Sequence, residues 1–159
     1  MKTNAARYLD SLNISYELRD YALDTEDFSA IIVAEKIGLP PEQVFKTLLC
    51  VTSDKEHVFA VVPGNAELDF KKLAHAVGAR KAEMVSLKDI QPLTGYIRGG
   101  VTVFGAKKNF PVYVDETVEL FDTVSVSAGI KGTQIVLSPA DYIRAAEATV
   151  ADLTKGGTL

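Results

Sequence analysis

Apolar positions along this chain come in short blocks, and their spacing switches repeatedly between helical and alternating. Ala6, Leu9 and Leu12 follow Thr3 at helical spacing, which predicts a first helix capped by Thr3. "ISYELRDY" (14–21) alternates and reads as a strand. "FSAIIVAEKIG" reads as a helix with Ser29 as cap and Gly38 as stop. Pro41 suits a first helical turn after Pro40. Two apolar strands, 45–52 and 57–62, flank the polar turn "SDKE" and predict a hairpin. "ELDFKKLAHAVG" is an amphipathic helix closed by Gly78, and "AEMVS" is a short strand. "SLKDIQPL" reads as a helix capped by Ser86 and ended by Pro92. "TGYIRGGVTVFGAKKNFPVYVD" carries four glycines and leads through short strands. "DTVSVSAGIKGTQIVLS" is a strand, a glycine turn and a second strand. In "SPADYIRAAEATVADL", Ser138 caps, Pro139 takes the first helical position and Asp141 follows three after the cap. "TKGGTL" reads as a frayed tail.

Strands and helices mix without regular βαβ alternation. This predicts an α+β fold with a mixed or antiparallel sheet, as one compact domain over residues 1–159. No repeat, low-complexity tract or linker interrupts it.

Composition changes this picture little. The chain has 159 residues, 47% hydrophobic and 24% charged, enough for a real core without cross-links. A single cysteine rules out an internal disulfide and fits a reducing, cytoplasmic setting. The N-terminus lacks an apolar signal core, and no run reaches membrane-spanning length. Charge is more informative. The net charge of −4 argues against a generic nucleic-acid coat, yet residues 70–110 hold eight basic side chains against Glu83 and Asp89. That excess is either an ordinary solvated surface or a local face for phosphates.

Standard catalytic constellations are weak. His57, His75 and Cys50 show no metal-ligand spacing, so no metal is expected. There is no G-x-S-x-G elbow, and "GGVTVFG" and "GIKGTQ" match neither a Walker A loop nor a dinucleotide fingerprint. Cys50 sits in an apolar run, where a packed thiol is the simpler reading than a Cys–His nucleophile. Without an obvious nucleophile or cofactor motif, any reaction would draw its attacking group from substrate or water. One residue stands out: Lys46, inside the apolar strand "FKTLLCV". Either its stem packs while its head snorkels to water, or a rigid strand aims its ammonium into a cleft.

"GLPPEQVFKTLL", "GYIRGG" followed by "FGAKK", the "VVPGNAELDFKKLAHAVGARKAEMVS" spacer and "VSAGIKGTQIVLSPADYIR" occur in order along almost the whole chain. This ordered set resembles the YbaK/EbsC family of aminoacyl-tRNA deacylases, which includes free-standing Cys-tRNA(Pro) deacylases and relatives of the prolyl-tRNA synthetase editing domain. The resemblance implies a mixed or barrel-like sheet with surrounding helices. It implies trans-editing: hydrolysis of the ester on a mischarged tRNA, foremost Cys-tRNA(Pro) or a related small-amino-acid tRNA(Pro), without a cofactor. Prolyl-tRNA synthetase is a candidate partner. The family's F-K-T-L lysine falls on Lys46, and its glycine pair on Gly99 and Gly100, implying the catalytic set. Tyr21, Ser127 and Gly129 fall on substrate-binding positions. Two departures touch the same region: Thr102 replaces a serine often found after the glycine pair, with Val103 for a proline, and Gln134 stands where the Cys-tRNA(Pro) subgroup often has an acid. Lys107 and Lys108, in the basic segment, are the candidate tRNA contacts. A non-catalytic module binding aminoacyl-tRNA or a synthetase is the alternative, and a small-molecule or interaction domain with a structural Lys46 a third.

Overall fold

The computed structural model describes residues 2–24, 26 and 29–156. Their strands form two sheets rather than one closed barrel. The first sheet is antiparallel, in the order β1 (Glu17–Asp20), β7 (Thr133–Leu137), β6 (Val124–Ser127). The second is mixed, in the order β4 (Ala82–Met84), β2 (Phe45–Thr52), β3 (His57–Pro63), β5 (Val112–Asp115), β8 (Thr149–Ala151). Its β3–β5 and β5–β8 pairs are parallel. The expected α+β class and the β2–β3 hairpin are both present.

Five helices surround the described strands: α1 (Asn4–Ser11), α2 (Ala30–Ile37), α3 (Phe70–Val77), α4 (Leu87–Thr94) and α5 (Pro139–Ala146). The caps read from sequence form where a hydroxyl can reach a free backbone N–H. Thr3 Oγ1 accepts from Ala6 N at 3.2 Å, and Ser138 Oγ from Asp141 N at 3.1 Å. Gly38 and Gly78 close α2 and α3 as expected. Phe28, the first residue assigned to the α2 helix by pattern, lies outside the described residues, as do 157–159.

Alternation along β2 separates two apolar layers. Phe45 and Leu49 enter the main core between the sheets, with Phe59, Val61, Val114, Val126 and Ile135. Leu48 and Cys50 face the other way, onto a layer of Val58, Ala60, Val62 and Leu73 under α3. Cys50 is fully buried there, and burial pushes its thiol up to about 12. We expect Cys50→Ala to keep full function and to cost about 1 kcal/mol of unfolding free energy through lost volume. Denaturant unfolding alongside an activity assay checks both; loss of turnover by the folded variant would restore a cysteine nucleophile.

Several elements depart from the pattern reading. The first strand is shorter than 14–21, because Ile14 turns into the core and only Glu17–Asp20 pair with β7. Pro92 lies inside α4 rather than ending it; in the last turn its missing N–H removes one bond, and the helix runs on to Thr94 before Gly95. Ser86 takes the cap position without a side-chain bond. Of the short strands expected in 94–115, only β5 forms. The last helix stops at Ala146, where Glu147 turns left-handed, and residues 149–151 become β8. Residues 154 and 155 are not frayed: Thr154 bridges Leu68, and Lys155 N bonds Glu67 O at 3.0 Å. The buried Asp115 carboxylate explains the stop. It accepts from Leu153 N at 2.9 Å and Thr117 Oγ1 at 2.6 Å, drawing the C-terminal segment onto the sheet.

Candidate functional site

Two strand edges meet and then part. Val44 bridges Ser125 in parallel, joining β2 to β6 at one point. Val44 O accepts from Gly64 N at 2.7 Å, on the β3 side. By the alternation of an antiparallel ladder, Lys46 and Leu48 also turn their backbone polar groups to β3, while Phe45 and Thr47 turn theirs away. On the opposite strand, Ala128 N bonds Thr133 O of the turn into β7, so Ser125 and Ser127 turn theirs toward β2. Past the bridge no described strand lies between Thr47 and Ser127. The gap is a cleft of about 440 Å³.

Its lining comes from five places. β2 gives the stretch from Phe45 to Leu49, α2 gives Ala30 and Val33, and α4 with its approach gives Val85, Leu87 and Ile90. The glycine-pair turn adds Arg98, Gly99 and Val101, and the first sheet adds Ser127 and Gln134. Because the cleft follows an edge, residues from both faces of β2 border it. That is how Lys46, on the Leu48 face, shares the site with Phe45 and Thr47. Among the described residues two cations line the cleft, Lys46 and Arg98, and no carboxylate does. Lys46 has no hydrogen-bond or ion-pair partner among the described residues. Burial lowers its pKa below the ordinary lysine value, and the charge of Glu67 partly offsets that. A half-buried, unpartnered ammonium is a group awaiting an anion or a polarised oxygen.

The glycine turns press together to form one wall. A side chain on Gly100 would meet Gly129 O and the Ile130 Cα, both at 3.3 Å. Gly129 has φ +97° and sits against the Tyr96 ring, where an added Cβ would lie 3.0 Å from Cε1. Tyr96 donates to Phe104 O at 2.7 Å, so this one ring ties the "GYIRGG", "FGAKK" and "SAGIKG" segments.

Of the residues singled out by sequence, Lys46, Gly99, Ser127 and Gln134 line the cleft together. Gly100 and Gly129 stand behind the wall. Thr102 is buried outside the lining, its Oγ1 accepting from Phe104 N at 3.4 Å. Tyr21 also lies outside; its ring packs with Ala34, Ile37 and Val44, and its buried hydroxyl has no hydrogen-bond partner among the described residues. Lys107 borders a separate shallow depression with Leu87, Lys88, Gln91, Pro92 and Gly95. Pattern reading passed over Arg98, although it stands inside "GYIRGG", and Thr47, whose neighbour took the attention.

The sequence model of the aminoacyl-tRNA editing domain matches residues 28–145. This chain belongs to that family. The chain is 42% identical over 153 residues to EbsC of Enterococcus faecalis, a candidate Cys-tRNA(Pro)/Cys-tRNA(Cys) deacylase, covering 96% of this chain and 93% of the relative. It is 28% identical over 119 residues to the multifunctional Ser/Thr-tRNA deacylase ProXp-y of Escherichia coli K12, covering 72% and 71%. A crystal structure of a candidate trans-editing enzyme for prolyl-tRNA synthetase shares the fold at TM-score 0.83 and 23% identity, over 98% of this chain and 99% of that one. All the editing-domain residues that line the cleft fall within the matched segment.

Proposed function

We propose that the protein hydrolyses the ester linking a wrongly attached small amino acid to the 3′ end of a tRNA, tRNA(Pro) foremost, with Lys46 as its central functional residue. The observation that carries this is the cleft between the parting edges, holding an ammonium with no partner, and no carboxylate, among the described residues. An anionic 3′ nucleotide fits such a site, and family membership and the names of the two relatives point the same way.

Among the described residues the lining offers hydroxyls on Thr47 and Ser127 and no histidine or carboxylate to activate them, and Cys50 is buried elsewhere. The attacking group therefore comes from water or from the substrate. With water, its oxygen bonds to the ester carbon, the bond to the ribose oxygen breaks, and a proton ends on that oxygen. Backbone donors aimed at the carbonyl oxygen lower this barrier most. Gly100 N–H and Gly129 N–H are already given to Ile97 O and Ser127 Oγ. Thr47 and Ser127, on the open edges, and Gly99 in the wall are the donors left for an oxyanion. Lys46 and Arg98 fix the phosphate and sugar side, so much of the rate comes from orientation.

Single-turnover release of amino acid from Cys-, Ser- and Ala-tRNA(Pro) tests this reading. Release faster than the uncatalysed ester supports it. Binding without release would make the protein a carrier of aminoacyl-tRNA, and neither would leave Lys46 structural. Prolyl-tRNA synthetase is the partner to add in a parallel arm.

Leu87 of α4 borders both the cleft and the Lys88–Lys107 depression, so the helix separates the two. An acceptor stem crossing α4 would place phosphates on the basic side. We expect Lys107→Ala/Lys108→Ala to weaken tRNA binding and to flatten its salt dependence, by roughly one unit of slope per lost phosphate contact. Titrations at several salt concentrations read this directly; an unchanged slope would send the RNA along another face.

A further inference from the structure

A second recess opens between α3 and β4, at the other end of β2 from the cleft. Gly78 ends α3 in a left-handed turn, and Ala79 N bonds back to Ala74 O at 2.9 Å. The chain then returns as β4, paired to β2 from Cys50↔Met84 to Thr52↔Ala82. The space between helix and strand is about 430 Å³, nearly that of the cleft and typical of small-molecule sites. It shares no lining residue with the cleft or with the Lys88–Lys107 depression.

Its chemistry is divided. The floor is apolar: Phe70 and Ala74, one helical turn apart on α3, with Val51 and Ala82 from the strands. The rim is basic: Lys71, Arg80 and Lys81, all exposed. None of these three side chains has an ion-pair or hydrogen-bond partner among the described residues. Lys72, outside the recess, is instead held by Asp152 at 3.0 Å. Glu83 is the one carboxylate among the described lining residues, against those three cations.

The strand adds a directional element. Lys81 O accepts from Ser53 N at 3.0 Å, and Val85 N donates to Leu49 O at 3.0 Å, so the odd-numbered residues turn their backbone groups to β2. Ala82, between them, turns its N–H and C=O outward, and β4 is an edge of its sheet. Lys81 N also bonds Ser53 Oγ at 3.3 Å, which fixes the start of this edge. A donor beside an acceptor on a fixed strand matches the edge of a nucleobase, where an acceptor stands beside a donor. An aromatic ring in an apolar floor suits the flat face of such a base. Unpaired cations at the rim suit phosphate.

We propose that this recess is a binding site for a free nucleoside phosphate, separate from the deacylation cleft. The base lies against Phe70 and pairs with the Ala82 backbone, and the phosphates rest on Lys71, Arg80 and Lys81. A free nucleotide is favoured over a tRNA strand because the acceptor stem placed above crosses α4, whereas this recess belongs to α3.

Isothermal titration calorimetry with ADP and GDP tests the site, with adenosine and inorganic phosphate as partial ligands. We expect both nucleotides to bind with Kd below about 1 mM, and each partial ligand to bind about tenfold or more weakly than ADP. Arg80→Ala/Lys81→Ala should weaken nucleotide binding about tenfold or more, and Phe70→Leu, which keeps the floor apolar but loses the ring, several-fold. Lys46→Ala should leave it within about twofold, as a distant site should. Thermal unfolding of each variant separates weakened binding from misfolding. If Phe70→Leu folds poorly, the double variant still decides, since its two side chains are exposed and unpaired. Nucleotide binding lost in Lys46→Ala and kept in Arg80→Ala/Lys81→Ala would place the nucleotide in the cleft and overturn the proposal. So would the absence of nucleotide binding together with weakened tRNA binding by Arg80→Ala/Lys81→Ala, which would give the basic rim to RNA.

Discussion

Lys46→Ala should abolish most deacylation while leaving the fold intact. The ammonium is half-buried and has no described partner, so its removal strands nothing. Stability should even lose a pH dependence. The folded pKa lies below the unfolded 10.5, so between the two the unfolded chain binds more protons. Wild-type stability therefore rises with pH through that window, and the alanine variant should lack the rise. Activity is another matter, because one positioned charge contact in a dry site carries about a hundredfold or more in rate. Lys46→Arg should recover little, since a planar fork cannot replace a compact ammonium aimed from a fixed strand. Single-turnover hydrolysis and thermal unfolding on the same preparations decide it. Near-normal hydrolysis by Lys46→Ala would return this lysine to a packed stem with a solvated head.

Gly64→Ala should damage both stability and the cleft, although Gly64 lies outside the lining. Its φ is not in the left-handed region; the constraint is space. A Cβ there would fall 2.5 Å from Ala30 Cβ and 2.9 Å from Val44 O. Two elements would have to shift: α2, which brings Ala30 and Val33 to the cleft, and the start of β2, which carries the bridge to Ser125. Overpacking of this kind costs about 1–3 kcal/mol. Because the shift widens the gap between helix and strand, the hydrolysis rate should fall several-fold even at temperatures where the variant is folded. A variant with wild-type unfolding temperature and rate would show that the helix adjusts freely.

Much of the scaffold is written in local chemistry. Thr3, Ser138 and Pro139 announce helix starts because a cap needs only its own turn. The β2–β3 hairpin is legible because a polar turn separates two apolar runs. What was not legible depends on distant partners. Residues 149–151 read as helix because they follow a strong helix start; only β5, more than thirty residues earlier, makes them a strand. Lys46, Gly99, Ser127 and Gln134 could be named from their motifs, but not the reason they converge. That reason is a gap between two edges, and an edge is defined by which strand is absent beside it. Thr102 and Gly129 show the opposite limit. They sit inside motif segments, yet one bonds its own turn and the other makes room for Tyr96.

The first sheet also dictates when the site can exist. β1 is synthesised before every other strand of the two sheets, and its partner β7 after all of them but β8. Thr133 Oγ1 bonds Asp20 across 113 positions of chain. The cleft needs Val44 and Lys46 from the early part and Ser127 and Gln134 from the late part. During translation β1 and β2 therefore wait beside the ribosome with unmatched edges, and no nascent fragment short of residue 134 holds a complete cleft. Such distant pairings slow folding, because a long loop must close before any contact rewards it. A cleft of this topology forms as a whole, and only once the chain through β7 has emerged.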